Sequence, residues 1–228
     1  MMRQNCLRWA ALLCALFISS ASSLASRPEP DAVVYRIERK GATIGRHEVV
    51  MTRQGGKVQV DIAFKIRVKV AFLTVFKMDH NAHEVWTDDG GLQALHALTE
   101  RASGTFRVDV APNGDGYKVE VNGDMSAAPK DVMPTSFSFA SDLFGIVART
   151  VTLLDTLSGA QKPSFIMPLG NDVLTNEPGA APVKVRYYEI VKTDDGRLTH
   201  RIWVDQDGNL LKLGLFTKDE QYIEYLRT

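Results

Sequence analysis

The chain has 228 residues and carries 27 Lys and Arg against 27 Asp and Glu, so no global charge excess draws it to nucleic acid. Its two cysteines, Cys6 and Cys14, both sit near the N-terminus. Everything after them is therefore closed to disulfides, thiolate catalysis and cysteine-ligated metals.

The first 25 residues read as an export signal. Arg3 and Arg8 form a positive leader with no acid nearby, and Trp9 to Ile18 form an apolar run of ten. That run is too short to cross a hydrocarbon core of about 30 Å. Ser23-Leu24-Ala25 offers small residues at the −3 and −1 positions of a cleavage site, which places cleavage after Ala25. Removal takes away two arginines and no acid, leaving 25 basic and 27 acidic side chains. Ser26 to Asp31 (SRPEPD) reads as a flexible leader. Residues 32–228 are expected to form one domain, large enough to bury a core without staples. No later stretch approaches 18 apolar residues, so no transmembrane helix is expected there. The expected location is periplasmic or secreted.

Val33-Tyr35-Ile37 and His47-Val49-Met51 alternate on either side of a turn expected at Gly41 to Gly45. The strongest signal comes next along the chain. From Lys57 to Val70 every even position is apolar and most odd positions are charged or polar. A period of two places each class on its own face of a strand, here about 45 Å long. A strand of that length must coil, so it belongs to a strongly curved sheet. Strands are expected next at 75–86 and 92–101, joined through Asp88-Asp89-Gly90-Gly91. Others are expected around Phe106-Val108-Val110, Tyr117-Val119-Val121, Val183-Val185-Tyr187, His200-Ile202-Val204, Leu211-Leu213-Leu215 and Ile223-Tyr225. Short Gly-, Asn- and Asp-rich turns join antiparallel neighbours. Residues 127–139 read as a crossing loop, and 159–182, rich in Pro and Gly, as a short strand with loops. Leu143, Ile146, Val147, Val151 and Leu154 have helical spacing after a Ser141 cap, so a helix is expected near 141–150. The fold class is mainly β: a curved antiparallel sheet, open or half barrel, of about ten strands with one short helix.

No catalytic residue is assigned, because no nucleophile elbow, phosphate loop or dinucleotide glycine pattern is present. His80 and His83 should point to opposite faces of a strand and cannot share an ion. His80, Glu84, His96 and Glu100 are weak metal-ligand candidates, because a cross-strand histidine neighbourhood arises in either hairpin register. A three-residue loop sets His96 opposite Ala82; a four-residue loop sets it opposite His83. A solvated sheet face accounts for the same residues, and no cofactor is assigned. Asp205 to Asn209 imitates the start of a calcium loop, but its glycine is misplaced and Phe216 stands at the twelfth position, so a hairpin turn is expected. The odd face of 57–69, with Lys57, Lys65, Arg67 and Lys69, suits anionic head groups or plain solvent. Large apolar residues mixed with few polar ones suit a ligand groove. Phe64, Ile66, Val68, Phe76, Met78 and Trp86 are the candidate lining.

Trp203-Val204-Asp205-Gln206-Asp207-Gly208-Asn209-Leu210 and the closing Ile223-Glu224-Tyr225 resemble a family of exported bacterial proteins of unknown function with a W-x-D-x-x-G-x-L strand-turn motif. Glu84-Val85-Trp86, Asp89-Gly90-Gly91-Leu92 and Leu154 to Gly159 are similar marks. Val204, where an aromatic is usual, and Lys218-Asp219-Glu220, where Asp-Gly is usual, depart from it. The resemblance implies an architecture like that of curved-sheet envelope proteins, including lipoprotein and lipid carriers, and carries no catalytic residues. The expected function is a non-catalytic exported protein holding a lipid, acyl chain or other apolar small molecule. The alternatives are a structural module that binds another envelope protein through a strand edge, and a metal-dependent enzyme using the His/Glu cluster.

Overall fold

The computed structural model describes residues 31–138, 147–175 and 179–228. The expected signal at 1–25, the leader through residue 30 and most of the expected helix lie outside the described residues. The described residues form fifteen strands and no helix. The first half of the chain supplies β1 (Asp31–Arg39), β2 (Ala42–Gln54), β3 (Lys57–Val70), β4 (Leu73–Thr87), β5 (Leu92–Arg101), β6 (Gly104–Asn113), β7 (Gly116–Val121) and β8 (Asp124–Ala128). The second half supplies β9 (Val132–Pro134), β10 (Arg149–Leu154), β11 (Gln161–Leu174), β12 (Val183–Lys192), β13 (Leu198–Val204), β14 (Leu210–Phe216) and β15 (Tyr222–Arg227).

All fifteen belong to one sheet, in the order β8-β7-β6-β5-β4-β3-β2-β1-β15-β14-β13-β12-β11-β10-β9. Each half of the chain is a meander, and the first and last strands join the halves. Tyr35 stands opposite Arg227 and Ile37 opposite Tyr225 in that pairing. Neighbours are antiparallel except β9 and β10. The β1–β2, β3–β4, β5–β6, β10–β11, β12–β13 and β14–β15 turns lie at one end, called here the upper end.

The sheet curls until it nearly closes on itself, a barrel-like form rather than an open half barrel. The seam lies mid-chain, where β8 and β9 are separated only by residues 129–131. Side-chain contacts bridge it: Gln161 Nε2 donates to the Ala127 carbonyl at 3.0 Å. Gly159 in the β10–β11 turn packs so close that a Cβ there would stand 2.2 Å from Val121 Cγ2.

Alternation explains the core. The even residues of β3, Val58 to Val68, are buried, while Lys57, Gln59, Asp61, Lys65 and Lys69 are exposed. Register carries that inward face sideways. Phe64 stands opposite His47 on β2 and His80 on β4, and Ile62 opposite Val49 and Ala82. The expected turn at Gly41 to Gly45 is shorter than its glycines suggest. Lys40 and Gly41 alone make it, both at positive φ, and Gly45 lies within β2. A Cβ at Gly45 would sit 2.3 Å from the Lys65 carbonyl oxygen, so only glycine allows that strand approach.

The expected helix is corrected where it can be seen. Arg149–Leu154 is a strand, paired with β11 through Val151 opposite Ser164. Of the apolar positions that suggested a helical stripe, Val151 and Leu154 are buried strand residues, Val147 is exposed ahead of the strand, and Leu143 and Ile146 lie outside the described residues; the neighbouring Leu153 is buried as well.

Candidate functional site

Inside the barrel the apolar packing is broken by a line of polar groups. His47, His80, Glu84, Thr99, Ser164 and His200 are all buried. His47 sits among aromatic rings, with centroids 5.4 Å from Tyr35, 5.8 Å from Phe64 and 5.7 Å from Tyr225. Its Nε2 has no hydrogen-bond partner among the described residues. His80 stacks on Phe64 at 4.8 Å and hydrogen-bonds through Nδ1 to Thr99 Oγ1 at 2.9 Å. His200 meets Phe137 edge-on at 5.3 Å. Burial removes the water that would solvate an imidazolium, and it lowers all three pKa values to about 4. The interior therefore holds three neutral histidines at pH 7.

Glu84 is fully buried. Its Oε2 accepts from Trp86 Nε1 at 2.9 Å and from Ser138 Oγ, while Oε1 has no partner among the described residues. Burial pushes the carboxyl up, against the pull of its indole and hydroxyl donors. Ser138 reaches it because residues 135–138 fold into the barrel. Thr135 N donates to the Leu154 carbonyl at 2.9 Å, and Phe137, at φ 49°, is buried at the tip. Glu84 and Ser138 are 54 positions apart, so no local motif could announce this contact.

A cavity of about 380 Å³ remains above that plug, at the upper end. Its floor is apolar and aromatic: Ile62, Phe64, Leu153, Leu213, Leu215 and Tyr225, with the three histidines among them. Its rim is basic, contributed by strand ends and turns: Arg101, Lys162, Lys192, Arg197 and Lys218. Asp155, the one acid among the residues lining the cavity, is already engaged. Its carboxylate accepts from Leu157 N at 3.0 Å and Ser158 Oγ at 2.6 Å, shaping the Leu154 to Gly159 turn. Lys192 lies 3.7 Å from Asp195. The buried Nε atoms of Arg101 and Arg197 have no hydrogen-bond partner among the described residues. An uncompensated buried donor costs about 1–3 kcal/mol; both arginines border the cavity, and the Arg101 guanidinium also lies 4.2 Å over the Phe106 ring. A smaller hollow of about 160 Å³ lies on the other side of Phe137, at the lower end.

Of the expected lining residues, Phe64 lines the upper cavity. Ile66, Val68 and Met78 are buried on the same inward face without bordering it, and Trp86 is buried beside Glu84. Phe76 is exposed on the β3–β4 hairpin. The basic rim was missed because its five members come from four separate turns: β5–β6, β10–β11, β12–β13 and β14–β15.

The His/Glu metal cluster is corrected. A bulge between Val85 and Trp86 sets His83 opposite His96. His80 and Glu84 therefore face inward, whereas His96 and Glu100 lie on the outer face. Among the described residues no group of three or more His, Asp, Glu or Cys is arranged to hold a metal ion. Instead Asp61, His83, His96 and Asp109 form one row across four outer strands. His83 Nδ1 meets Asp61 at 2.7 Å and His96 Nδ1 meets Asp109 at 2.6 Å. Both contacts are solvent-exposed and worth little to stability.

The C-terminal strand-turn residues are structural. Trp203 stacks on Tyr187 at 4.9 Å on the outer face, with Lys212 Nζ over its ring. The Asp205 carboxylate accepts from the amides of Asp207 and Asn209, which closes a hairpin turn, as expected, and not a calcium loop. No helix among the described residues is long and apolar enough to cross a membrane.

No curated protein matches the chain. Among solved structures, the β-barrel-like protein of domain of unknown function DUF1849 from Brucella abortus is similar over 89% of this chain and 97% of its own, with TM-score 0.64 and 13% identity. A DUF1089 family protein from Pseudomonas aeruginosa covers 91% of this chain and 95% of its own, with TM-score 0.49 and 10% identity. The first likeness supports the barrel-like fold and nothing about activity. The sequence itself is matched over residues 35–228 by the family model described as domain of unknown function DUF6134, and the chain belongs to that family.

Proposed function

We propose that this chain is an exported, non-catalytic binding protein of the cell envelope. It holds one apolar chain with an acidic head, such as a fatty acid or a lipid acyl group, in the upper cavity. The observation that carries the reading is the pairing of an apolar floor with a basic rim that has two buried, unmet guanidinium nitrogens.

Magnitudes set the ligand's size. A cavity of about 380 Å³ is at the low end for small-molecule sites, and it takes about a dozen water-sized groups at roughly 30 Å³ each. A single medium-length chain fits; a multi-chain lipid would seat one tail only. Burying eight methylenes yields about 6 kcal/mol, which is near the lower bound of the cost of association. The tail alone therefore binds weakly. A carboxylate or phosphate on Arg101 and Arg197 adds charge-assisted hydrogen bonds worth about 1.5–3 kcal/mol each. The acidic head decides affinity.

Export rests on Arg3, Arg8, the apolar run and Ala25. N-terminal sequencing of protein from the periplasmic fraction tests it: a start at Ser26 is expected, and an intact Met1 or Met2 in the cytoplasm contradicts it. Ligand binding is tested by organic extraction of the purified protein and mass spectrometry. Acidic, single-chain species in stoichiometric yield are expected, and they should be lost from Leu213→Trp, which fills the floor. An extract with no apolar acid, together with no displacement of a fluorescent fatty acid, would remove this reading.

A further inference from the structure

The β3–β4 hairpin extends beyond its pairing with both neighbouring strands. On one side β2 leaves β3 at Gly45, opposite Ile66. On the other, β5 ends at Arg101, opposite Met78. Arg67–Val70 and Leu73–Lys77 thus pair only with each other, an arm of about four residues, or roughly 13 Å, packed at its base through the buried Val68. Such an arm in water should be polar, but here its tip is apolar. Phe72 is 89% exposed, Leu73 60% and Val75 58%, and Phe76 is exposed beside them. Exposed large apolar residues scattered singly need no explanation, whereas a contiguous aromatic and aliphatic cluster on a protruding tip does.

The charge around the tip is mainly basic. Lys69 and Lys77 are exposed on its two arms with Lys65 just below them, and the half-buried Arg67 forms a bidentate pair with Asp79 at 2.7 and 2.8 Å. Two acids border this collar: Asp79, taken up by Arg67 and by Lys77 at 3.5 Å, and the exposed Glu100 opposite it on β5. An apolar tip with a lysine collar behind it matches the layers of a bilayer: the tip passes the head groups into the acyl region while the collar stays level with the anionic head groups. The tip is also convex, which suits insertion rather than capture of another chain.

We propose that the β3–β4 hairpin docks this protein on the surface of an anionic lipid bilayer, with Phe72 and Leu73 inserted among the acyl chains and Lys69 and Lys77 against the phosphates. The same end of the barrel carries the cavity mouth, so docking brings the basic rim to the membrane face. The hairpin's role stands on its own and does not require the cavity to hold anything.

The test uses the chain from Ser26 onward, since all fifteen strands lie beyond that point and the Trp9–Ile18 run would bind vesicles by itself. Vesicles of phosphatidylcholine alone and of phosphatidylcholine with 30% phosphatidylglycerol are the probes, read by co-sedimentation. Binding is expected to the anionic vesicles and to be at least tenfold weaker for Phe72→Ser/Leu73→Ser. It should fall roughly fivefold for each of Lys69→Gln and Lys77→Gln. Val173→Ser, at the lower end, should bind like the parent. These positions are exposed, so thermal unfolding should be unchanged. In Phe72→Trp the new indole should be quenched by brominated acyl chains. Absence of sedimentation with anionic vesicles, sedimentation that survives loss of Phe72 and Leu73, or an indole that stays unquenched in Phe72→Trp would each overturn the proposal. Fatty-acid displacement measured without vesicles reports separately on the cavity.

Discussion

At the scale of single residues, the buried histidines make the fold sensitive to acid. Each folded-state pKa, about 4, lies below the ordinary value near 6.5 because burial disfavours the charged ring. A group depressed in this way contributes stability that is complete above about pH 6.5 and is lost as pH falls toward 4. At pH 5 the loss is about 2 kcal/mol for each ring, which for three rings approaches the whole stability of a typical domain. Urea midpoints should therefore collapse between pH 6 and pH 5. His47→Phe should keep its place among Tyr35, Phe64 and Tyr225, lose no hydrogen bond at Nε2, and gain about 2 kcal/mol over the parent at pH 5. A flat urea midpoint across that range would contradict the neutral assignment. Glu84 tests the opposite sign. Its raised pKa means that ionisation inside the barrel costs stability as pH rises. Glu84→Gln keeps an oxygen for Trp86 and Ser138 without the charge, so urea unfolding at pH 8 should find it at least as stable as the parent. Glu84→Ala strands both donors and should lose about 2 kcal/mol; equal losses in the two variants would refute the account.

At the scale of elements, the seam is held by side chains and close packing, and Gly159 is its tightest point. Alanine there meets Val121 Cγ2 at 2.2 Å and must also hold φ near 71°. Gly159→Ala should cost about 2–3 kcal/mol by urea unfolding, and Val121→Ala should recover part of that loss when the two are combined. A Gly159→Ala protein as stable as the parent would mean that the seam is looser than described. The elements were unevenly legible. β3 reads directly from its alternation because one face is core and the other is solvent. β4, β5 and β12–β15 are legible for the same reason. β11 was hidden by Pro163, Pro168 and Gly170, which argue against an internal strand. The structure absorbs Pro168 at a bulge before Gly170. β10 was hidden because Leu153 and Leu154 are both buried, which destroys the period-two signal and leaves a spacing that imitates a helix. β8 and β9 are too short to show a period. The site was less legible than the fold: Phe64 could be read from its strand, but the basic rim exists only once four distant turns share one end.

At the scale of the whole molecule, the two meanders become one sheet only when the first and last described strands, β1 and β15, pair. β15 carries the only ladder that joins the two halves of the described sheet. Deleting residues 222–228 should abolish cooperative unfolding, seen as loss of a single calorimetric transition, rather than trim the stability. Closure also has a functional consequence. A flat or open sheet of these residues would expose the floor to water, whereas the curled sheet shields it and leaves one basic mouth at the upper end. The most direct test of that arrangement is a methyl-detected NMR titration of the protein with decanoate. Saturable shifts confined to Ile62, Leu153, Leu213 and Leu215, weakened by Arg101→Gln/Arg197→Gln, are the expected result. Shifts that never saturate, or that spread over the outer face and leave these four methyl groups unmoved, would contradict it.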